Sequence, residues 1–173
     1  MTILIGLTGR ARSGKDSVAD VLEARGFHRV AFAAKMKRLL LAANPHLEGL
    51  VREHGWEGAK ASKDGPLLRA AMQSFGAAAR RELGPEVWLA PVEYTIRYHL
   101  PYTPVVVTDV RHPNEEALIR TLGGRIWRVT RPGTLTGDTD PTEMFETEKV
   151  DQDIHNTGTL EDLEGEVCRA LEA

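Results

Sequence analysis

The chain of 173 residues holds one cysteine, Cys168, so no disulfide can form within it. That composition is compatible with a reducing cytosol. No apolar run reaches the roughly 18 residues that a membrane-spanning helix needs. No basic segment followed by a long apolar stretch precedes the first apolar run, which argues against a secretory leader. The six histidines show neither H-E-x-x-H nor paired Cys/His spacing, which removes the common zinc sites. A G-x-S-x-G nucleophile elbow is missing as well. There is no internal repeat, and no helix-turn-helix, zinc-finger or aromatic-rich nucleic-acid pattern. These absences leave a single domain, 1–173, with a substantial core.

Net charge is small but unevenly placed. The net charge is −3, made of +7 over residues 1–131 and −10 over residues 132–173. A basic body before an acidic tail is compatible with nucleic acid, but a phosphate-rich small ligand explains it equally well.

What is present is a phosphate-binding loop. Ile3-Leu4-Ile5-Gly6-Leu7-Thr8 reads as a buried strand, and Asp16 to Leu22 reads as a helix start. Between them stands Gly9-Arg10-Ala11-Arg12-Ser13-Gly14-Lys15, the pattern G-x-x-x-x-G-K. A loop in that position turns its amides around a polyphosphate, and the helix offers its free N–H groups and positive dipole end. Lys15 reaches the outer phosphates as a point charge. The usual Ser or Thr after the lysine, a Mg²⁺ ligand, is replaced by Asp16, with a hydroxyl one place later at Ser17.

Further on, 28–32 reads as a short strand, and Ala33–Ala43 as a helix with Lys35, Lys37 and Arg38 near its start. Residues 44–65, interrupted by Gly55, Gly58 and Gly65, are expected to be short helical pieces and an exposed loop. A helix runs from Pro66 to about Leu83, with Leu68, Met72, Phe75 and Ala79 as its core face. Glu86–Tyr98 is another helix, carrying Trp88, with Pro91 kinking it or delaying its start. Pro104–Asp109 is a second buried strand, and Asp109 at its C-terminal end lines the ligand crevice, as a Mg²⁺ or substrate group or as a turn residue. A helix from Pro113 to Leu122, a strand 125–131 and a strand 153–156 follow. The stretch 132–150, rich in Gly, Pro, Thr and acids, suits a mobile lid. Thr159–Leu171 closes the chain as a helix, with an approximate capping box to Asp162 and a buried stripe of Leu160, Leu163, Val167 and Leu171. Cys168 falls in that apolar pattern as a small core residue. The alternation of elements predicts an α/β P-loop three-layer sandwich, with an approximately five-stranded, mostly parallel sheet and helices on both faces.

A compact chain with basic residues on several segments suggests two phosphate sites, for donor and acceptor. Transfer between phosphates needs no strong base, because a phosphate's second pKa is ~6. It needs alignment and distributed positive charge. Lys15, Arg12, Arg111 and Arg131, with Mg²⁺, are the candidates to supply these, Lys15, Arg111 and Arg131 being the catalytic set.

At these positions the chain resembles a known family. The carriers are Gly9-x-x-Arg12-Ser13-Gly14-Lys15-Asp16-Ser17, the Arg69…Met72-Gln73-x-x-Gly76 helix with Trp88 downstream, and Asp109-x-Arg111-x-x-x-Glu115. Val129-x-Arg131-Pro132-Gly133 and Asn156-x-Gly158-Thr159-Leu160-Glu161-Asp162-Leu163 complete the set. In shared order they look like bacteriophage deoxynucleoside monophosphate (dNMP) kinases, over most of the chain and most weakly across 40–65. The resemblance implies a nucleoside-monophosphate-kinase-like fold, with acceptor-binding helices over about 32–100 and a lid over about 132–150. It implies a cytoplasmic enzyme of an infected bacterium that moves the γ-phosphoryl group of ATP to a dNMP. Arg12, Ser13, Gly14, Lys15, Asp16, Ser17 and Val18 would hold ATP, with Asp16, Ser17 and Asp109 toward Mg²⁺. Lys37, Arg69, Gly76, Trp88, Asp109, Arg111 and Glu115 would bind the dNMP. No direct nucleic-acid or membrane partner is implied, and related kinases are often homodimers. In the lid, Asp140-Pro141-Thr142-Glu143 stands where some relatives carry His-x-(Ser/Thr)-Glu, so a role resting on that histidine does not transfer. Rival readings are a dephospho-coenzyme A kinase, against which Asp16 and Asp109-Val110-Arg111 speak, and a nucleotide-sensing module without turnover.

Overall fold

The computed structural model describes residues 2–133, 147 and 149–173. Two compact units divide the chain: residues 1–31 together with 92–173, and residues 32–91.

The first unit is built on a parallel sheet of five strands: β1 (Leu4–Thr8), β2 (His28–Val30), β3 (Val105–Val107), β4 (Arg125–Thr130) and β5 (Gln152–His155). Their order is β2-β3-β1-β4-β5, so strands added after β1 fall on both sides of it. Gly6 lies level with Val107 on one side and Ile126 on the other. β1 and β3 are buried throughout, as strands covered on both faces must be.

Alternation along β1 sorts its side chains. Ile5 and Leu7 join Val106, Trp127, Val129 and Ile154 on one face. There α1 (Lys15–Glu23) contributes Val18, Ala19, Val21 and Leu22, and α7 (Leu160–Glu172) contributes Leu163, Val167 and Ala170. Fully burying a side chain such as Ile5 or Leu7 is worth about 1.5–3 kcal/mol. On the other face α6 (Pro113–Thr121) brings Ile119 against Gly6, where a Cβ would crowd Ile126, Val110 and Ile119. Helices thus cover both faces, as the sequence predicts.

The closing helix departs from expectation at Leu160, Leu171 and Cys168, Leu171 being only partly buried. Leu160 is 68% exposed and Ala170 takes its place in the stripe. Leu160 is the first helical residue, beside the cap, and lies outside the covered run. The cap itself is a full box: Asp162 accepts from the Thr159 amide at 2.7 Å, and the Asp162 amide donates to Thr159 Oγ1 at 3.2 Å. Cys168 is half-buried instead of core, with an Arg25 Nη2 donor 2.7 Å from its sulfur.

The second unit is helical: α2 (Phe32–Ala43), α3 (Pro45–Ala61) and α4 (Gly65–Leu83). Leu47, Val51, Ala59 and Leu68 form its core, with Leu41, Leu50, Trp56, Ala71 and Met72 against them. Leu68 is buried, while Met72, Phe75 and Ala79 are only half-buried. Residues 44–65 are therefore far more helical than their glycines suggest. The Leu47, Leu50, Val51 stripe supplies the amphipathic face, and Pro45 starts the helix at its first position. Gly55, at φ 66° and ψ 173°, breaks α3 in two. α5 (Leu89–His99) starts later than expected and leaves Trp88 in the turn before it, because Pro91 is tolerated only in a first turn.

Candidate functional site

The C-terminal ends of the parallel strands carry the chemistry. β1 runs into the loop Gly9–Lys15, β3 leads to Asp109, β4 to Arg131 and β5 to Asn156. In an open α/β sheet ligands bind along this edge, where strand order reverses.

The loop geometry follows from its glycines. Gly9 has φ 137°, and a Cβ there would strike the Val129 carbonyl oxygen. Gly14, at φ 101°, is the left-handed residue that opens α1 and carries no side-chain cap. The first amides of a helix have no intrahelical acceptor. Lys15 folds back across the loop, its ammonium donating to the carbonyls of Gly9 at 2.6 Å and Arg10 at 2.8 Å. Arg12 is the one non-glycine with positive φ, 62°, among the described residues, and is exposed. Such strain concentrates at functional sites. Ser13 is buried, and its hydroxyl has no hydrogen-bond partner, alone among buried side-chain polar atoms of the described residues. A buried polar atom left unpaired costs free energy that a ligand oxygen would offset. Val18 lies wholly in the core.

Sequence reasoning assigned no role to Asn156, yet it braces this loop. Its amide donates to the Ser13 carbonyl at 3.0 Å, and its backbone N–H donates to the Thr130 carbonyl at 2.8 Å. Its carboxamide lies where a Cβ on Gly14 would have to go. The available signal was an amide residue at a strand end, followed by a capped helix.

Asp16 forms an ion pair with Arg29 of β2, which also binds Asp20 at 2.8 Å and Glu23 at 3.2 Å. Partial burial opposes the charge on Arg29, but Glu23, Asp16 and Asp20 together hold its pKa above the ordinary value. Ser17 sits one place on, half-buried.

Asp109 is held between two backbone anchors. The Thr108 amide donates to Val30 at 3.0 Å and the Val110 amide to Leu7 at 3.1 Å. Arg111 owes its position to Glu115. That carboxylate is buried, and its Oε2 accepts from the Arg111 amide at 2.7 Å and the His112 amide at 3.1 Å. With His112 as N-cap this makes a capping box on α6. Arg131 is exposed just beyond β4. Of the expected lid, 134–146 and 148 lie outside the described residues, Asp140, Thr142 and Glu143 among them.

Lys37, Arg69, Gly76 and Trp88 all belong to the helical unit. Trp88 is buried, its indole N–H directed at the Gly76 carbonyl at 3.5 Å, with the Phe75 ring 6.2 Å away. A Cβ on Gly76 would crowd the Met36 sulfur. Lys37 Nζ stands 5.1 Å from the centre of the Trp56 ring. Glu57 accepts from Lys60 at 2.6 Å. That bond, first, and then the charges of Lys60, Lys37 and Arg69 hold the Glu57 carboxyl below its ordinary value, against partial burial. No group of three or more His, Cys, Asp or Glu suited to a metal occurs among the described residues. None of the described helices is long and apolar enough to cross a membrane.

This is an α/β fold of P-loop type, of the kind found in kinases. The chain matches no family model. It is 26% identical over 192 residues to a protein of Acanthamoeba polyphaga mimivirus named "Putative deoxynucleotide monophosphate kinase", covering 98% of this chain and 96% of that one. It is 28% identical over 172 residues to "Uncharacterized protein ORF76" of Ictalurid herpesvirus 1 (strain Auburn), covering 88% and 70%. Among solved structures, dephospho-CoA kinase from Campylobacter jejuni shares the fold at TM-score 0.59 and 14% identity, covering 99% and 96%. TT1252 from Thermus thermophilus does so at TM-score 0.56 and 22% identity, covering 99% and 97%. Both sequence relatives are viral, and neither is from a bacteriophage.

Proposed function

We propose that the chain is a phosphotransferase that moves the γ-phosphoryl group of ATP to a deoxynucleoside monophosphate, giving ADP and the diphosphate. The observation that carries this reading is one sheet edge bearing both the phosphate loop and the Asp109, Arg111 and Arg131 segments. The name of the mimivirus relative supports the acceptor class.

In the reaction an oxygen of the acceptor phosphate attacks the γ-phosphorus. The bond from that phosphorus to the β,γ-bridging oxygen breaks, and ADP leaves with the electron pair. Lys15 and the loop amides hold the donor, while Arg12, Arg111 and Arg131 spread positive charge over the migrating group. An arginine placed so is worth ~10³–10⁵ in rate. Ser17 and Asp109 supply the hard oxygens that suit Mg²⁺, an ion that keeps several waters and takes phosphate oxygens, so a sparse protein ligand set fits it. When bound, Mg²⁺ would neutralise charge on the phosphates. Asp16, paired with Arg29, fits a water-mediated role. Lys37, Arg69, Gly76 and Trp88 serve the acceptor, and 132–150 serves as the lid. A viral setting, in host cytoplasm, suits a supply of precursors for DNA synthesis.

A dephospho-coenzyme A kinase is the second reading, favoured by the shared fold with the Campylobacter jejuni enzyme. Coupled ADP release, measured with each dNMP and separately with dephospho-coenzyme A, decides between them. Turnover with dephospho-coenzyme A alone would replace the proposal. ATP binding without ADP release from any acceptor would make the chain a sensor.

A further inference from the structure

Three acids stand in one line along α1. Asp16, Asp20 and Glu23 follow at i, i+4 and i+7, the spacing that puts side chains on one face of a helix. Without a cation this arrangement opposes the helix. Like charges four residues apart repel, and Glu23 adds a negative charge at the end of α1 where the dipole is already negative. Arg29 supplies the cation. It lies on β2, an edge strand, level with Val106, which belongs to the core that α1 covers. From there one guanidinium reaches all three acids. Its Nη2 donates to Asp16 Oδ1, and its Nη1 donates to Asp20 Oδ1 at 2.8 Å and Glu23 Oε2 at 3.2 Å. Packing of the strand on the helix makes these contacts, not neighbouring turns of one helix. The Arg29 side chain is 30% exposed, whereas that of Asp16 is 85% exposed.

One of the three acids stands at the phosphate loop. Asp16 directly follows Lys15, in the place where such loops ordinarily carry a neutral Ser or Thr. A carboxylate there is a full negative charge beside the site of a polyphosphate, and it repels that ligand unless it is held and balanced. We propose that Arg29 is a positioning residue for the nucleotide site: it holds the Asp16 carboxylate against β2 and cancels its charge, which lets a phosphate loop with an acid after its lysine accept ATP. Asp20 and Glu23 take the other nitrogen of the planar fork and so fix the direction in which it points at Asp16. This rests on the phosphotransferase reading for the identity of the ligand, and gives a part in that site to a side chain outside the loop.

The test is calorimetric titration of the full-length chain with ATP, once in EDTA and once in Mg²⁺, with no acceptor present. Arg29→Gln should weaken binding in EDTA about fivefold, the upper range for one exposed ion pair. The loss in Mg²⁺ should be smaller, because the released carboxylate attracts a divalent cation carried with the nucleotide. A loop that had only lost its shape would lose both affinities alike. Adding Asp16→Asn to Arg29→Gln should bring binding in EDTA back to within about twofold of the parent. Adding Glu23→Gln instead should not, since Glu23 stands ~10 Å further along the helix, about a Debye length away. Arg29→Lys keeps the charge without the fork and should fall between parent and Arg29→Gln; it carries the same comparison where Arg29→Gln does not fold. Parent-like ATP affinity in Arg29→Gln overturns the inference. So do equal losses in EDTA and Mg²⁺, or a loss that Asp16→Asn leaves in place. A parent chain that binds no ATP removes the kinase reading, and this role with it, whereas failure of the variants alone leaves that reading standing.

Discussion

Replacing Asn156 by alanine removes the brace between β5 and the phosphate loop. Asn156 is 9% exposed, and its amide is the donor to Ser13 O at 3.0 Å. A buried carbonyl left without its partner costs about 1–3 kcal/mol. In a domain of this size each kcal/mol moves Tm by about 2–4 °C, so the variant should melt about 2–12 °C lower. The loop should also lose order. If ~1.4 kcal/mol of that cost is met on binding, ATP affinity falls about tenfold. Asn156→Asp keeps the shape but sets a carboxylate oxygen against the Ser13 carbonyl, and should be worse than alanine on both measures. Differential scanning calorimetry and ATP titration read the two effects separately. Asn156→Ala melting within 1 °C of the parent, with ATP affinity within about twofold, would refute the bracing role.

Other outcomes follow from the same geometry. Glu115→Ala removes the acceptor for the Arg111 and His112 amides, and should cost about 1–3 kcal/mol in urea unfolding while raising the acceptor KM. Trp88→Ala should cost about 3–5 kcal/mol, as large aromatic truncations in a core do; a loss under about 1 kcal/mol would mean the ring is not packed as described. Burial, then the His99 ring stacked at 3.6 Å, hold the His28 imidazole below its ordinary 6.5, with Glu23 opposing. The folded state then binds fewer protons than the unfolded one, so this stability is present above about 6.5 and falls as pH drops below it. His28→Gln should flatten the fall in Tm between pH 7 and 5, and an NMR midpoint for His28 at or above 6.5 would contradict the assignment.

Much of this architecture could be read from local pattern. Val105-Val106-Val107 announces a buried strand by composition, and G-x-x-x-x-G-K after Leu7-Thr8 announces a loop by the backbone freedom of Gly9 and Gly14. Residues 44–65 misled because Gly55 was read as an end of order, whereas it is a break inside one helix whose Leu47 and Val51 find their core in α4. Leu160 has the right spacing but sits a turn too early to be covered. Arg29 and Asn156 received no role for a shared reason: each acts through partners that only the fold brings to it, Arg29 through Asp16 and Asp20 of α1 and Asn156 through Ser13. Glu115 shows the converse, since an acid three places after an N-cap could have been read as a capping residue before any contact with a substrate.

The order β2-β3-β1-β4-β5 has a consequence for how the molecule is made. β1 leaves a ribosome well before its neighbours Val105–Val107 and Arg125–Thr130, which follow roughly a hundred residues later. Long-range parallel pairings of this kind are slow to form, and their unpaired edges attract other chains meanwhile. Nascent chains arrested before β3 emerges should therefore hold β1 as an unpartnered, chaperone-dependent ribbon, and the glycine loop would acquire its shape only once β4 and β5 have followed.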